Sequence, residues 1–281
     1  MMQTAGEAAR EVAAKLKEAG IDSCRLEAEL LTAHVLKTDR LSLLVHPDKP
    51  LTEDNIGSLI RLAQRRAMGE PMAYITGKKE FFGRDFGVRK GVLVPRPETE
   101  LLVEAVLDLC PAMEELVFCD AGTGSGCIGI TLKLERPQWQ GILLDKMPVP
   151  LSQAMENARH YNADLAVVQG SFFAMPLGQN SLDIVVSNPP YIGWHEISDV
   201  EKNVMAYEPE EALFAEKEGL AALTAIADWA RDALRQGGML AMEHGWKQGQ
   251  SVRQYLEKKG FKNIFTQKDI AGLDRITIAR L

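Results

Sequence analysis

The sequence predicts an α/β fold: a mostly parallel sheet, covered by helices on both faces and carrying an antiparallel last strand, behind a small N-terminal helical bundle. Three observations lead there. From about residue 96 onward, short apolar runs alternate with amphipathic stretches, the order that parallel strands with crossover helices require. A glycine-rich turn, Asp120-Ala121-Gly122-Thr123-Gly124-Ser125-Gly126, joins an apolar run to a helical pattern. The first 70 residues carry helix caps and apolar stripes at helical spacing. The chain's 281 residues suit two domains at roughly 150 residues each. The expected division is a helical domain over 1–72, a β-hairpin linker over 73–95, and a sheet domain over 96–281.

Thr4-Ala5-Gly6-Glu7 reads as a capping box, and Ala5, Ala8, Val12, Leu16 and Ala19 trace a helical stripe that stops at Gly20. A second helix is expected over about 25–37 and a third over 52–68, after an acidic first turn. Glu80-Phe81-Phe82 and Asp85-Phe86-Gly87-Val88, separated by Gly83, read as the linker hairpin. Strands are then expected at 116–120, 141–145, 165–169, 182–187, 238–243, 262–267 and 274–280, with helices near 98–109, 125–136, 149–160, 217–235 and 248–259. No helix fits between the last two strands, so they should pair antiparallel. Pro150 is compatible only with a first helical turn, which predicts a late start for the helix after Asp145. The connection from about Gly193 to Glu216 is long for a compact domain and is expected to shape access to a site.

Composition narrows the function. A net charge of −7 argues against a protein that coats nucleic acid, and Arg61, Arg65 and Arg66 read as a solvated helix face. Cys24, Cys110, Cys119 and Cys127 lack the spacing of a disulfide frame or a zinc site and read as reduced core residues, so no metal is expected. No apolar stretch is long enough to span a bilayer, and the charged start at Glu7, Arg10 and Glu11 lacks a signal peptide's apolar region. A cytoplasmic protein is expected.

Two motifs carry chemistry. Glycines between a strand and a helix let backbone N–H groups approach a ligand without Cβ interference. Asp145 ends the next strand, where a carboxylate can accept from ribose hydroxyls. The literal Gly124-Ser125-Gly126-Cys127-Ile128-Gly129 pattern raises a nicotinamide dehydrogenase, but Asp120 and Gly122 put the glycines out of that register. No Lys-Ser or Lys-Thr follows, which disfavours a phosphate-gripping loop. S-adenosylmethionine remains, since its adenosine needs the ribose acid and its methionine end needs close backbone approach. The second motif, Asn188-Pro189-Pro190-Tyr191, follows the apolar run Leu182 to Ser187. Consecutive prolines remove backbone donors and leave carbonyl acceptors. A planar NH2 group could be held by the Asn188 side-chain oxygen and the Pro189 carbonyl, with its face against Tyr191; an ordinary Asn-Pro turn is the alternative.

Val94-Pro95-Arg96-Pro97-Glu98-Thr99-Glu100, the Asp120–Gly126 turn, Asn188-Pro189-Pro190-Tyr191-Ile192, and Tyr207-Glu208-Pro209 with Ala212-Leu213 together resemble the protein-glutamine methyltransferases that modify peptide chain release factors, the PrmC or HemK family. The resemblance runs through the helical domain, Gly69-Glu70-Pro71, Tyr74 to Gly77, and Lys268 to Arg275. It implies a Rossmann-like class I methyltransferase sheet behind a helical substrate-recognition domain. It also implies that Gly122, Thr123, Gly124, Ser125 and Gly126 surround the methionine part of S-adenosylmethionine, that Asp145 binds its ribose, and that Phe172 lies beside its adenine. Asn188 would contact cofactor and substrate, and Pro189, Pro190 and Tyr191 would complete a glutamine pocket in a catalytic site. Family members usually carry an acidic residue before that phenylalanine. This chain has Ser171 there, so contact to the adenine amino group would pass to the Ser171 hydroxyl or a backbone carbonyl. The partner implied is a release factor exposing a Gly-Gly-Gln loop, bound by a monomer with no stable nucleic-acid or membrane association.

In-line methyl transfer to an amide nitrogen needs alignment and acceptors for its N–H groups more than a strong base. His195 and His244 are therefore read as surface or core residues, and Glu98 and Glu100 equally as first-turn carboxylates or as closing groups for the cofactor site. Two other classes stay open: a methyltransferase for exocyclic amino groups of adenine or guanine, which shares the Asn-Pro-Pro-Tyr element, and a non-catalytic module that binds S-adenosylmethionine and a protein partner.

Overall fold

A computed structural model describes residues 3–111, 113–174 and 177–281. The chain forms two compact units, Met1–Gly77 with Lys202–Tyr207, and Lys78–Glu201 with Glu208–Leu281. In the first unit, α1 (Ala5–Glu18) begins at the expected capping box: Thr4 accepts from Glu7 N–H, and the Glu7 carboxylate accepts from Thr4 N–H. Its stripe of Ala5, Ala8, Val12 and Leu16 packs with Leu31 of α2 (Cys24–Val35) and, after the short α3 (Arg40–Val45), with Leu59 and Ala63 of α4 (Glu53–Ala67). α5 (Met72–Thr76) opens at Pro71 and ends at Gly77 in the left-handed conformation.

Helices α3 and α5 are too short to show an apolar period, and periodicity does not predict them. One expectation is overturned here. Arg66 is not on a solvated face: it pairs with Glu27 at 2.6 Å, both side chains about one-seventh exposed, while Arg65 pairs with Glu70. The guanidinium groups tie the end of α4 to α2 and to the turn that follows it.

In the second unit, β1 (Lys78–Phe81) and β2 (Arg84–Gly87) form the expected hairpin. Phe82 and Gly83, both at positive φ, make its two-residue turn. The main sheet follows as α6 (Glu100–Leu109), β3 (Val117–Ala121), α7 (Cys127–Glu135), β4 (Gln140–Asp145), α8 (Pro148–His160), β5 (Ala166–Gln169) and β6 (Leu182–Ser187). Next in the chain come β7 (Ile192–Gly193), then α9 (Lys202–Tyr207), which belongs to the first unit, and then, again in the second, α10 (Glu210–Leu213), β8 (Phe214–Ala215), α11 (Ala221–Ala233), β9 (Leu234–Glu243), α12 (Gly249–Lys258), β10 (Lys262–Lys268) and β11 (Asp274–Arg280). The strand order is β10-β11-β9-β6-β3-β4-β5. All neighbours are parallel except β11, which runs antiparallel to both β9 and β10. One apolar layer holds Phe118, Ile130, Leu143 and Val186 at zero or near-zero exposure, and the other Cys119, Leu144, Val185 and Trp229.

Two details depart from expectation. α8 starts at Pro148, not late, because Pro148 and Pro150 both lie in the first turn, where no backbone donor is needed. The 193–216 connection, for which no elements were expected, contains a 3-10 turn (Trp194–Asp199), α9, α10, and the pairing of β7 with β8.

Candidate active site

The strand order reverses at β3. From it the chain winds outward through β4 and β5, then returns to the other side through β6 and β9. Crevices at such switch points, beyond the carboxyl ends of the strands, are where open α/β sheets bind ligands. The register of β3 on β6, Asp120 beside Val186, brings Gly122 and Asn188 out of the sheet together. Ser187 Oγ locks the two exits by donating to Ala121 O at 2.5 Å. The two sequence motifs, 66 positions apart, thus open into one cavity of about 950 Å³.

Gly122, Gly124 and Gly126 all take positive φ, 76°, 58° and 83°, so the turn requires residues without Cβ. Gly122 and Thr123 N–H both donate to Leu144 O, which folds the turn back over β4. Asp120 is fully buried beneath it: one oxygen accepts from Thr123 Oγ1 at 2.6 Å and from Gly129 N–H at 3.0 Å. Burial raises its carboxyl to about 7 against these hydrogen bonds. Asp145 stands at the tip of β4, where its carboxylate accepts from Gly124 N–H at 3.1 Å and Met147 N–H at 2.9 Å. Burial is the largest influence on it and raises its pKa.

Gly122, Thr123, Gly124, Ser125, Asp145 and Phe172 line the cavity, and Gly126 instead caps α7, where a Cβ would strike Ile130 and Ala154. Phe172 flanks Gly122 and stacks at a tilt on Phe173. Ser171 is not among the lining residues, and its hydroxyl accepts from Phe173 N–H. At the other motif, Asn188 and Pro190 line the cavity, whereas Pro189 and Tyr191 do not.

Thr99, which the sequence offered only as one letter of a motif, and Glu243 and Gln248, which it did not single out, orient this corner. Asn188 Nδ2 donates to Thr99 Oγ1 at 2.9 Å; Thr99 donates to Glu243 Oε2 at 2.7 Å; and the Tyr191 hydroxyl donates to Glu243 Oε1 at 3.1 Å. Gln248 Nε2 holds Tyr191 O at 2.9 Å. Glu208, 5% exposed, accepts from Val94 N–H and pairs with Arg96 at 2.7 Å, which anchors the connection beside the cavity. The only sequence signals for Glu243 and Gln248 were polar residues at and just beyond the end of an apolar strand.

The other candidates fall where chemistry-free readings put them. His195 is exposed. His244 is buried, with its ring nitrogens on Gly245 O and Thr277 Oγ1, and burial lowers its pKa. Glu100 accepts from Phe82 N–H, and Glu98 is exposed. Cys110, Cys119 and Cys127 are buried and unbridged, and no metal-holding cluster exists among the described residues.

Residues 7–77 match the family description "PrmC N-terminal domain" and residues 113–269 the description "Methyltransferase domain". A methyltransferase structure from Pyrococcus furiosus shares the fold at a TM-score of 0.54 and 16% identity, covering 80% of this chain and 98% of that one. The release factor glutamine methyltransferase of Nitratidesulfovibrio vulgaris is 40% identical over 278 residues, 96% of this chain and 93% of the relative. That of Salmonella typhimurium is 38% identical over 260 residues, 92% of this chain and 93% of the relative. At that identity over nearly its whole length, the chain belongs to the release factor glutamine methyltransferases.

Proposed function

We propose that this protein transfers a methyl group from S-adenosylmethionine to the side-chain amide nitrogen of a glutamine, in a Gly-Gly-Gln loop, of a peptide chain release factor. It acts as a cytoplasmic monomer without stably binding nucleic acid. One observation carries the reading: the glycine-rich turn after β3 and the donor-poor Asn188 corner after β6 face a shared cavity. The cavity wall fits the cofactor, with open backbone at Gly122 and Gly124, a carboxylate at Asp145 and a ring at Phe172. When bound, S-adenosylmethionine supplies an electrophilic methyl carbon on a sulfonium.

The chain's own residues then divide the work. Gly122, Thr123, Gly124 and Ser125 would border the methionine part, with Gly126 behind them as the cap of α7; Asp145 would accept from the ribose hydroxyls with its remaining lone pairs, and Phe172 would cover the adenine. Asn188 Oδ1 and the Pro189 carbonyl accept from the two hydrogens of the substrate amide, so the nitrogen is held in line and cannot rotate. Pro190 lacks an N–H and so adds no competing backbone donor. As the nitrogen would bond the methyl carbon at the expense of the sulfonium carbon–sulfur bond, its hydrogens would become more positive, these fixed acceptors would bind the transition state more tightly than the ground state, and one of the two N–H protons would then leave to water. Tyr191 completes the corner, and Glu208-Pro209 bounds access.

The test incubates labelled S-adenosylmethionine with the protein, purified release factors and ribosomal RNA, then maps the modified residue by mass. Label on a release factor glutamine is expected. Label on RNA alone, or cofactor binding with no transfer, would reject the proposal. Asn188→Ala should fold normally and lose on the order of 100-fold in turnover. Near-wild-type turnover in that variant would reject the pocket.

A further inference from the structure

An asparagine amide offers an acceptor on one side and two donors on the other, and only the acceptor suits a substrate NH2 group. Nothing in the shape of Asn188 chooses between them, since a flip exchanges groups of nearly equal size. The choice must come from its partner, Thr99, whose hydroxyl can either give or accept a hydrogen bond. Thr99 is 2% exposed and its single proton goes to Glu243 Oε2 at 2.7 Å, so toward Asn188 it can only accept. Glu243 in turn is 1% exposed and, as a carboxylate, has acceptors alone; its second oxygen takes the Tyr191 proton. Burial raises the Glu243 pKa, and the hydrogen bonds from Thr99 and Tyr191 and then the charge of Arg275 oppose that rise by favouring the carboxylate.

We propose that Glu243 is a positioning residue: through Thr99 it fixes Asn188 with its oxygen toward the cavity, and directly it fixes the hydroxyl of Tyr191. The inference rests on the glutamine-methylating reading of this corner and adds a direction to it. A one-way chain of donors runs from Asn188 through Thr99 into Glu243, and a second runs from Tyr191 into the same carboxylate. Both end at a group that cannot give a proton back. Among the described residues Asn188 Oδ1 makes no hydrogen bond, which leaves it free for the substrate.

Replacing Glu243 by its amide isostere separates polarity from shape. In Glu243→Gln only one carboxamide oxygen remains, so it accepts from Thr99 or from Tyr191 but not from both. If the NH2 end faces Thr99, the Thr99 proton turns to Asn188, and the flipped Asn188 presents donors to the substrate's donors. The expected result is a fall in kcat on the order of 10- to 100-fold. Melting temperature should stay near wild type and S-adenosylmethionine affinity should fall far less than kcat, because Glu243 hydrogen-bonds Thr99 and Tyr191 and neither the glycine turn nor Asp145.

Thr99→Val should show the same kcat loss, and Thr99→Ser, which restores the hydroxyl, should recover most of it. A Glu243→Gln enzyme with wild-type kcat would overturn the proposal. So would a Thr99→Ser as impaired as Thr99→Val, or a Glu243→Gln that loses cofactor affinity in step with turnover, which is the mark of a structural role. Wild-type protein that never methylates a release factor defeats the parent reading. Active wild type with indifferent Glu243 and Thr99 variants defeats this one alone.

Discussion

Asp120 shows how far the site tolerates unfavourable burial to hold its backbone. One carboxylate oxygen gathers Thr123 and Gly129; the other has no hydrogen-bond partner among the described residues. Burial raises its pKa from 3.8 to about 7. Between those values the folded chain holds a proton that the unfolded chain releases, so this group's contribution to stability is present at low pH and lost as pH rises toward 7. Removing the titration should remove that slope. Urea midpoints of Asp120→Asn and wild type should therefore diverge between pH 5 and pH 8, the wild type losing up to ~3 kcal/mol relative to the variant; parallel pH profiles would contradict it. Asp120, Asp145 and Asn188 were legible in the sequence because each sits at the end of an apolar run, Asp120 at the head of the glycine turn and Asn188 ahead of two prolines. Thr99 and Glu243 were not, because their meaning is a contact 144 positions apart in the chain.

The turn between β3 and α7 works only because α7 lies close to the sheet. A Cβ at Gly129 would stand 2.4 Å from Leu143 Cδ2 and 3.1 Å from the Asp120 side chain. Alanine in an exposed helix interior would gain about 1 kcal/mol over glycine, but overpacking here costs about 1–3 kcal/mol, and at 2.4 Å the steric effect should win. Gly129→Ala is expected to lower the melting temperature and weaken S-adenosylmethionine binding together, as read by calorimetry and titration; an unchanged or raised melting temperature would show that α7 has room to move. Long elements with a clear period, such as α1 and α4 or the buried strands β3, β4 and β6, could be placed from the residues alone. The short α3, α5, α9 and α10 could not, because one or two turns supply too few apolar positions to set a period and are held by caps and neighbours, as Asp39 holds Ser42 N–H.

At the scale of the molecule, a ligand that binds only the folded sheet unit must stabilise it. S-adenosylmethionine at 100 times its dissociation constant contributes about 2.7 kcal/mol, which should raise the melting temperature by about 5–10 °C; no shift at saturating cofactor would refute the assignment of the cavity. The order of the elements, the helical bundle ahead of the sheet and the two chemical motifs at strand ends were set by local chain chemistry: apolar period, caps, glycine and proline. No helix among the described residues is long and apolar enough to cross a membrane, in keeping with composition. The strand order with β11 between β9 and β10, the meeting of Gly122 with Asn188, and the donor chain into Glu243 came only with tertiary structure. Each depends on which distant strands lie side by side, and a hydrogen bond's direction depends on every partner in the chain of contacts, so neither is written in any local stretch of sequence.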